Sequence, residues 1–287
     1  MKLAINTDAI SQDFETAVLL GLEWGIEYFE LKRMYGWRMP DIDDDAVKAV
    51  ENALRVNGAS LSSIAPGLFK IPLEPEQIAL EAGKRFDMTV SLAHRLRTPN
   101  VVIFGFVRDD RRTEDAALRQ IIDVFGPLAA RAKREGLTLF LENDRGLWGE
   151  SPEAVRRILA GVDSPAFRLN WDPGNLVGAF PEAPYPTSYE LIKQYVGHVH
   201  VKDAKAAKSG NQPFTHAMMG SGDVDWIGQF ERLLRDGYDG YCVIEPHFGS
   251  RVSSSRDHIL GTRKALRAAE ARLASAPRPK AGTEAAK

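Results

Sequence analysis

The sequence predicts an α/β protein of one particular kind, a single closed (β/α)8 TIM barrel, on three observations. Eight short runs rich in β-branched and aromatic residues alternate with eight longer segments whose apolar residues recur every three or four positions. The first run leads into NTDAIS, which lacks the glycine-rich phosphate turn expected of a doubly wound open sheet. The 287 residues are usual for one such barrel, and no linker or internal repeat divides them.

The predicted strands are KLAIN (2–6), IEYFEL (26–31), ASLSSI (59–64), NVVIFG (100–105), LTLFLE (137–142), FRLNW (167–171), GHVHVK (197–202) and YCVIE (241–245). Helices are expected near 11–24, 43–57, 74–96, 113–135, 151–160, 187–194, 224–236 and 256–273. Leu118, Ile121, Ile122 and Phe125 share one face of the fourth. Ser151-Pro152-Glu153 offers an N-cap serine and an N1 proline to the fifth. In GSGDVDW (220–226) a turn leads into the seventh, with Asp223 or Asp225 as cap and Trp226 as anchor. The barrel is expected to span 1–273. The tail ASAPRPKAGTEAAK (274–287), rich in Ala, Pro and Lys, is expected to be disordered.

At 44% hydrophobic and 26% charged, the chain can bury a large core without cross-links. A formal net charge of −2 and the lack of a strongly basic segment argue against nucleic-acid and membrane partners. The single Cys242 excludes an intrachain disulfide and reads as a buried strand residue. No long apolar leader core or run of about 18 apolar residues occurs, so a cytoplasmic location is expected.

Active sites of such barrels lie at the C-terminal ends of the strands. There the fifth strand ends in Glu142, the sixth leads to Asp172, the seventh carries His200 and the eighth ends in Glu245. Period-two alternation puts each on the same face as its strand's other inward residues. Three converging carboxylates would repel one another unless a cation lay between them. Three oxygen donors and one imidazole suit one divalent ion, Mn²⁺ before Mg²⁺ or Co²⁺. The same alternation lines His198, His200 and Lys202 up on one face of GHVHVKD, with Lys202 nearest the mouth and in reach of substrate oxygens.

In order, LEN, NWDPGN, HVHVKD, GSGDVDW and VIEPH resemble the sugar phosphate isomerase/epimerase family of xylose isomerase-like TIM barrels, over about residues 1–270. The resemblance implies that Glu142, Asp172, His200 and Glu245 bind one metal ion. It selects His200 over His198 as ligand and makes Glu142 and Glu245 the acid/base pair. The implied chemistry is proton abstraction α to the carbonyl of a sugar or keto-sugar through a metal-stabilised enediolate. A small carbohydrate is then the partner, in a chain whose relatives form homo-oligomers. Lys202, Asn175, His247, Trp148 and Trp37 are the expected substrate contacts. His216 is a further candidate, and Phe69, Phe104 and Phe248 are candidate walls. The loop RMYGWRMPD (33–41) is the most lid-like segment.

Two departures bear on substrate. Ketohexose 3-epimerases of this family place a histidine where Asn175 stands, and an arginine where this chain reads AKAAK (204–208). The runner-up is therefore a lyase of the same superfamily, an inosose- or dehydroshikimate-type dehydratase or an eliminase of 3-keto-glycosides. An abasic-site endonuclease of this barrel type would need more histidines than six and a basic surface. A binding protein that had lost the chemistry is at odds with the four retained ligands.

Overall fold

A computed structural model describes residues 1–208, 212–247 and 251–275. Eight parallel strands close into a barrel: Lys2–Asn6, Tyr28–Leu31, Ser60–Ile64, Asn100–Ile103, Thr138–Glu142, Phe167–Trp171, Val196–Val201 and Tyr241–Ile244. Each pairs with its neighbour in sequence, and the first closes on the eighth through Lys2 opposite Tyr241 to Ile5 opposite Ile244. The eight predicted strands are all present, with the second starting at Tyr28 rather than residue 26 because Gly25 turns the chain at φ 76°.

The register is broken twice. Between the second and third strands the pairing steps from Phe29–Leu61 to Glu30–Ser63. Between the sixth and seventh it steps from Leu169–Val196 to Asn170–His198. Such irregularities re-aim side chains, and both re-aim polar residues into the barrel.

The helices form the outer layer, in the predicted order. Thr113, Ser151 and Asp225 cap theirs, accepting from Ala116, Ala154 and Gly228 respectively. The segment expected at 74–96 runs as Pro75–Leu80, a π-turn Glu81–Arg85 and Phe86–Arg95. The one expected at 187–194 is broken into short turns around Tyr189–Ile192, because Pro184 and Pro186 remove backbone donors. The last helix, Arg251–Ser275, starts earlier than expected and takes in Ala274 and Ser275. Residues 276–287 of the expected tail lie outside the described residues.

Between barrel and helices, Phe69, Phe106, Phe125 and Phe167 form a ring cluster with centroids 5.2–5.5 Å apart. Inside the barrel, Ala65, Val102 and Phe140 form a separate small cluster. Above Phe140, whose ring lies 5.2 Å from that of His198, the interior turns polar.

Two hairpins extend the strand ends. RMYGWRMPD is an antiparallel pair, Arg33–Met34 with Trp37–Arg38, turning on Tyr35 and Gly36 at φ 53° and 80°. Two successive positive φ values give the primed turn that suits tight hairpins. Asp203–Ala206 pairs with Phe214–Ala217. Asp203 anchors that hairpin, its carboxylate accepting from the backbone N–H groups of Ala204, Gly220 and Gly222 at 2.8–3.0 Å. Gly222 has to be glycine, because a Cβ there would lie 2.1 Å from Asp203 Oδ1.

Asp203→Ala therefore strands the N–H groups of Gly220 and Gly222 and is expected to cost about 2 kcal/mol or more. Urea unfolding measures it, and a loss below about 0.5 kcal/mol, the range of ordinary surface changes, would count against an anchoring role.

Candidate metal centre

The upper barrel is assembled from the ends of consecutive strands. Glu142 is the last residue of the fifth strand and Asp172 follows the sixth. His200 lies in the seventh, opposite Val243, and Glu245 follows the eighth. All four are buried. One ligating atom from each lies within 4.8 Å of the others.

Neutral amides fix the first two carboxylates. The Asn143 side chain accepts from the Asp172 N–H at 2.8 Å and donates to the Asp172 carbonyl at 2.8 Å, locking two strand ends together. Asn170 Nδ2 donates to Glu142 Oε2 at 3.2 Å. Asn175 Nδ2 lies 3.3 Å from Glu142 Oε1 and 3.1 Å from Asp172 Oδ2, tying one carboxylate to the other.

Two lysines and an imidazole hold Glu245, and one of the lysines also reaches Asp172. Lys202 Nζ lies 2.6 Å from Asp172 Oδ2 and 3.1 Å from Glu245 Oε2. Lys32 Nζ and His247 Nε2 reach Glu245 at 3.0 and 3.2 Å. Lys202 is thus buried among the carboxylates, lower than a solvent-facing contact at the mouth would sit.

Among the buried atoms without a hydrogen-bond partner in the described residues, two belong to the four candidate ligands: Asp172 Oδ1 and His200 Nδ1. His200 Nδ1 lies 3.4 Å from Glu142 Oε2 and 3.8 Å from Glu245 Oε2. A buried polar atom left unpaired is costly. A lone pair on His200 Nδ1, set between Glu142 and Glu245 and close to Asp172, is what a divalent cation would satisfy. The cluster can therefore hold a divalent metal ion, with hard or borderline donors throughout.

The electrostatics follow from burial. Burial pushes the Asp172 carboxyl up to about 6 even though Lys202 opposes it. Burial also works to raise Glu142 and Glu245, but it is outweighed. His200 holds Glu142 below the usual carboxylate range, and Lys202 and Lys32 hold Glu245 well below it.

Below this cluster lies a layer that sequence reasoning missed. Glu30 on the second strand is fully buried. Its Oε2 accepts from Ser63 Oγ at 2.8 Å and faces Nε2 of His200 at 3.2 Å and of His198 at 3.5 Å. His198 also lies 3.4 Å from Ser63 Oγ. Burial would raise the Glu30 carboxyl, but His200 and then His198 bring it well below the usual range. The available signal was Glu30 itself, set between Phe29 and Leu31 near the end of the run IEYFEL. Lys32, two residues further along and on the same face, was missed as well.

A cavity of about 380 Å³ opens above, reached by Glu142, Asn175, Lys202, Glu245 and His247 of the expected residues. The second hairpin adds Phe214 and His216, and His216 stacks on His247 with ring centroids 4.6 Å apart. Burial, then His247, pushes the His216 imidazole down to about 4. Lys70, which pairs with Asp144, and Arg145 stand at the rim.

Among the expected walls only Phe104 lines this space. Trp148 is a correction: it packs in the core with Arg108 over its ring at 4.9 Å. Trp37 is another, standing 42% exposed on the first hairpin and away from the cavity lining. Phe69 belongs to the ring cluster, and Phe248 lies outside the described residues.

The sequence profile described as a xylose isomerase-like TIM barrel matches residues 19–271. An inosose dehydratase of Bacillus licheniformis is 28% identical over 162 residues, 52% of this chain and 53% of that protein. The chain spans about half the length of the curated relatives it matches. A D-tagatose 3-epimerase-like protein superposes with a TM-score of 0.76 at 18% identity, covering 95% of this chain and all of that one. The IOLI protein with a binding zinc atom gives 0.76 at 16% identity, covering 96% and 100%. Among the described residues no helix is long and apolar enough to cross a membrane.

Metal ligation needs the Asp172 carboxylate in its charged form. As pH falls through about 6 that carboxyl takes up a proton. Affinity for a divalent cation is therefore expected to be highest above pH 6 and to weaken below it. Calorimetric titration with Mn²⁺ as probe on either side of pH 6 checks this, and an affinity that rises on acidification would contradict it.

Proposed function

The chain belongs to the xylose isomerase-like TIM barrel family, and on that footing we propose that it is a divalent-metal-dependent isomerase or epimerase of a sugar or keto-sugar, acting by proton abstraction α to a carbonyl. One observation carries the reading. Two buried carboxylates, Glu142 and Glu245, flank one unpartnered ligating atom, His200 Nδ1, and also line the cavity.

A divalent cation, Mn²⁺ in this reading, held by Glu142, Asp172, His200 and Glu245 supplies Lewis-acid charge beside a substrate oxygen. The chain's own groups do the rest. Glu142 is bordered by the amides of Asn170 and Asn175, whereas Glu245 carries Lys32, Lys202 and His247. That contrast makes Glu142 the more basic carboxylate and its Oε atoms the acceptor of the carbon-bound proton. Lys202 and Lys32 offset negative charge that builds up on the substrate oxygens. Glu245 returns a proton to carbon on its own side. Its hydrogen-bond partner His247, 38% exposed in its side chain, links it to solvent. Phe104 and Phe214 exclude water from part of the wall.

A second reading is a lyase, favoured by the inosose dehydratase relatives and by the stacked His216–His247 pair at the mouth. The same enediolate then expels a β-hydroxyl, which leaves as water after protonation from His247. Cytoplasmic location and a carbohydrate partner are part of the proposal.

Incubation with sugars, keto-sugars and inososes in D₂O, followed by NMR, tests both readings. Isomerisation or epimerisation is expected to place solvent deuterium on carbon. A product lighter by one water selects the lyase, and isomerisation or epimerisation that leaves no solvent deuterium on carbon would contradict proton exchange at carbon and point to a hydride shift instead. Glu245→Gln and Glu142→Gln are each expected to lower turnover by about 10²–10⁴-fold.

A further inference from the structure

The buried layer beneath the metal centre has a role that the ligand set leaves unassigned. Glu30 sits at a register break: its strand pairs Phe29 with Leu61 and then Glu30 with Ser63, skipping Ser62. Thr7 Oγ1 donates to the Glu30 carbonyl at 3.0 Å and holds that irregular backbone. The result is a carboxylate inside the barrel with no exposure to solvent. Burying a charge is expensive unless it is paired and hydrogen-bonded, and a glutamine or an apolar residue would fill the position without that cost.

The contacts of Glu30 all run in one direction. Ser63 Oγ–H points into Oε2 at 2.8 Å, and the Nε2 atoms of both inner histidines face the same oxygen. With Nε2 of His200 at 3.2 Å from a carboxylate oxygen, the proton of a neutral imidazole belongs on Nε2. The lone pair then lies on Nδ1, the atom that faces Glu142 and Glu245 and lacks a partner among the described residues. His198 supplies a second N–H and packs edge-on against His200, with ring centroids 5.8 Å apart.

We propose that Glu30, backed by Ser63 and His198, is a positioning residue for the metal centre: it fixes His200 in the Nε2–H tautomer and sets the strength of Nδ1 as a ligand. The inference rests on the metal-dependent reading above and extends it to a residue that touches neither metal nor substrate. A carboxylate behind a ligating imidazole orients the ring and raises its basicity, and removing such a partner typically weakens metal binding about 10–100-fold.

Mn²⁺ affinity of the full chain, measured by competition with a chelating dye, tests it. Glu30→Gln keeps size and a hydrogen-bond acceptor but removes the charge, and is expected to raise the Kd for Mn²⁺ about 10–100-fold. Glu30→Asp keeps the charge but draws it away from Nε2. It is expected to weaken binding in the same direction and serves if the glutamine variant fails to fold. ¹⁵N NMR of histidine-labelled protein is expected to find His200 protonated at Nε2 in the wild type and a mixture of tautomers in Glu30→Asp. If both variants bind Mn²⁺ as the wild type does, or if the neutral His200 imidazole carries its proton on Nδ1 instead of Nε2, Glu30 does not position the ligand, although the metal reading survives. If the wild type binds no Mn²⁺, the metal reading fails and this inference fails with it.

Discussion

Four carboxylates, Glu30, Glu142, Asp172 and Glu245, are buried at one end of one barrel. Like charges this close would drive one another to take up protons or force the barrel open. Most of the upper barrel can be read as the answer to that problem. Glu30 has two imidazoles and a hydroxyl; Glu142 has His200 and two amides; Asp172 and Glu245 share Lys202, and Glu245 also takes Lys32. Asp172 is the least well compensated, so its carboxyl is the one pushed up. The remaining shortfall of positive charge lies among Glu142, Asp172 and Glu245, where His200 Nδ1 goes unpartnered.

This constraint orders the barrel interior into layers. Ala65, Val102 and Phe140 fill the lower part with apolar atoms. Glu30, Ser63 and His198 form a polar floor, the four candidate ligands lie on it, and lysines and histidines ring the mouth. Backbone irregularities sit where the layers change: the two register breaks fall at Glu30–Ser63 and at Asn170–His198. At the first break the skipped residue is Ser62, buried beside Ser63; at the second it is Gly197, whose missing Cβ leaves room for the Phe140 ring.

The departures from the ketohexose epimerase pattern acquire a physical context here. Asn175, in place of a histidine, is committed to holding Glu142 and Asp172 together. The AKAAK stretch carries no arginine, but it forms one arm of the hairpin whose other arm brings Phe214 and His216 to the cavity. Cavity-lining residues are therefore supplied from different positions on the same scaffold.

Much of this was legible in the linear chain. Strand and helix periodicity is a local property, and it located all eight strands and the order of the helices. Glu142, Asp172, His200 and Glu245 could be picked out because each stands at or beside the end of an apolar run, where only the barrel rule and side-chain alternation were needed. Glu30 was hidden because its meaning depends on Ser63 and on two histidines about 170 residues away, and on a register break that periodicity cannot signal. Trp37 and Trp148 failed as wall residues for the matching reason: nearness to a strand end in sequence says nothing about whether a turn aims the ring inward. The sequence by itself determined which residues could carry charge into the barrel. The tertiary structure alone decided which charges meet, because pairing between buried groups is set by distances across strands that are neighbours in space and remote along the chain.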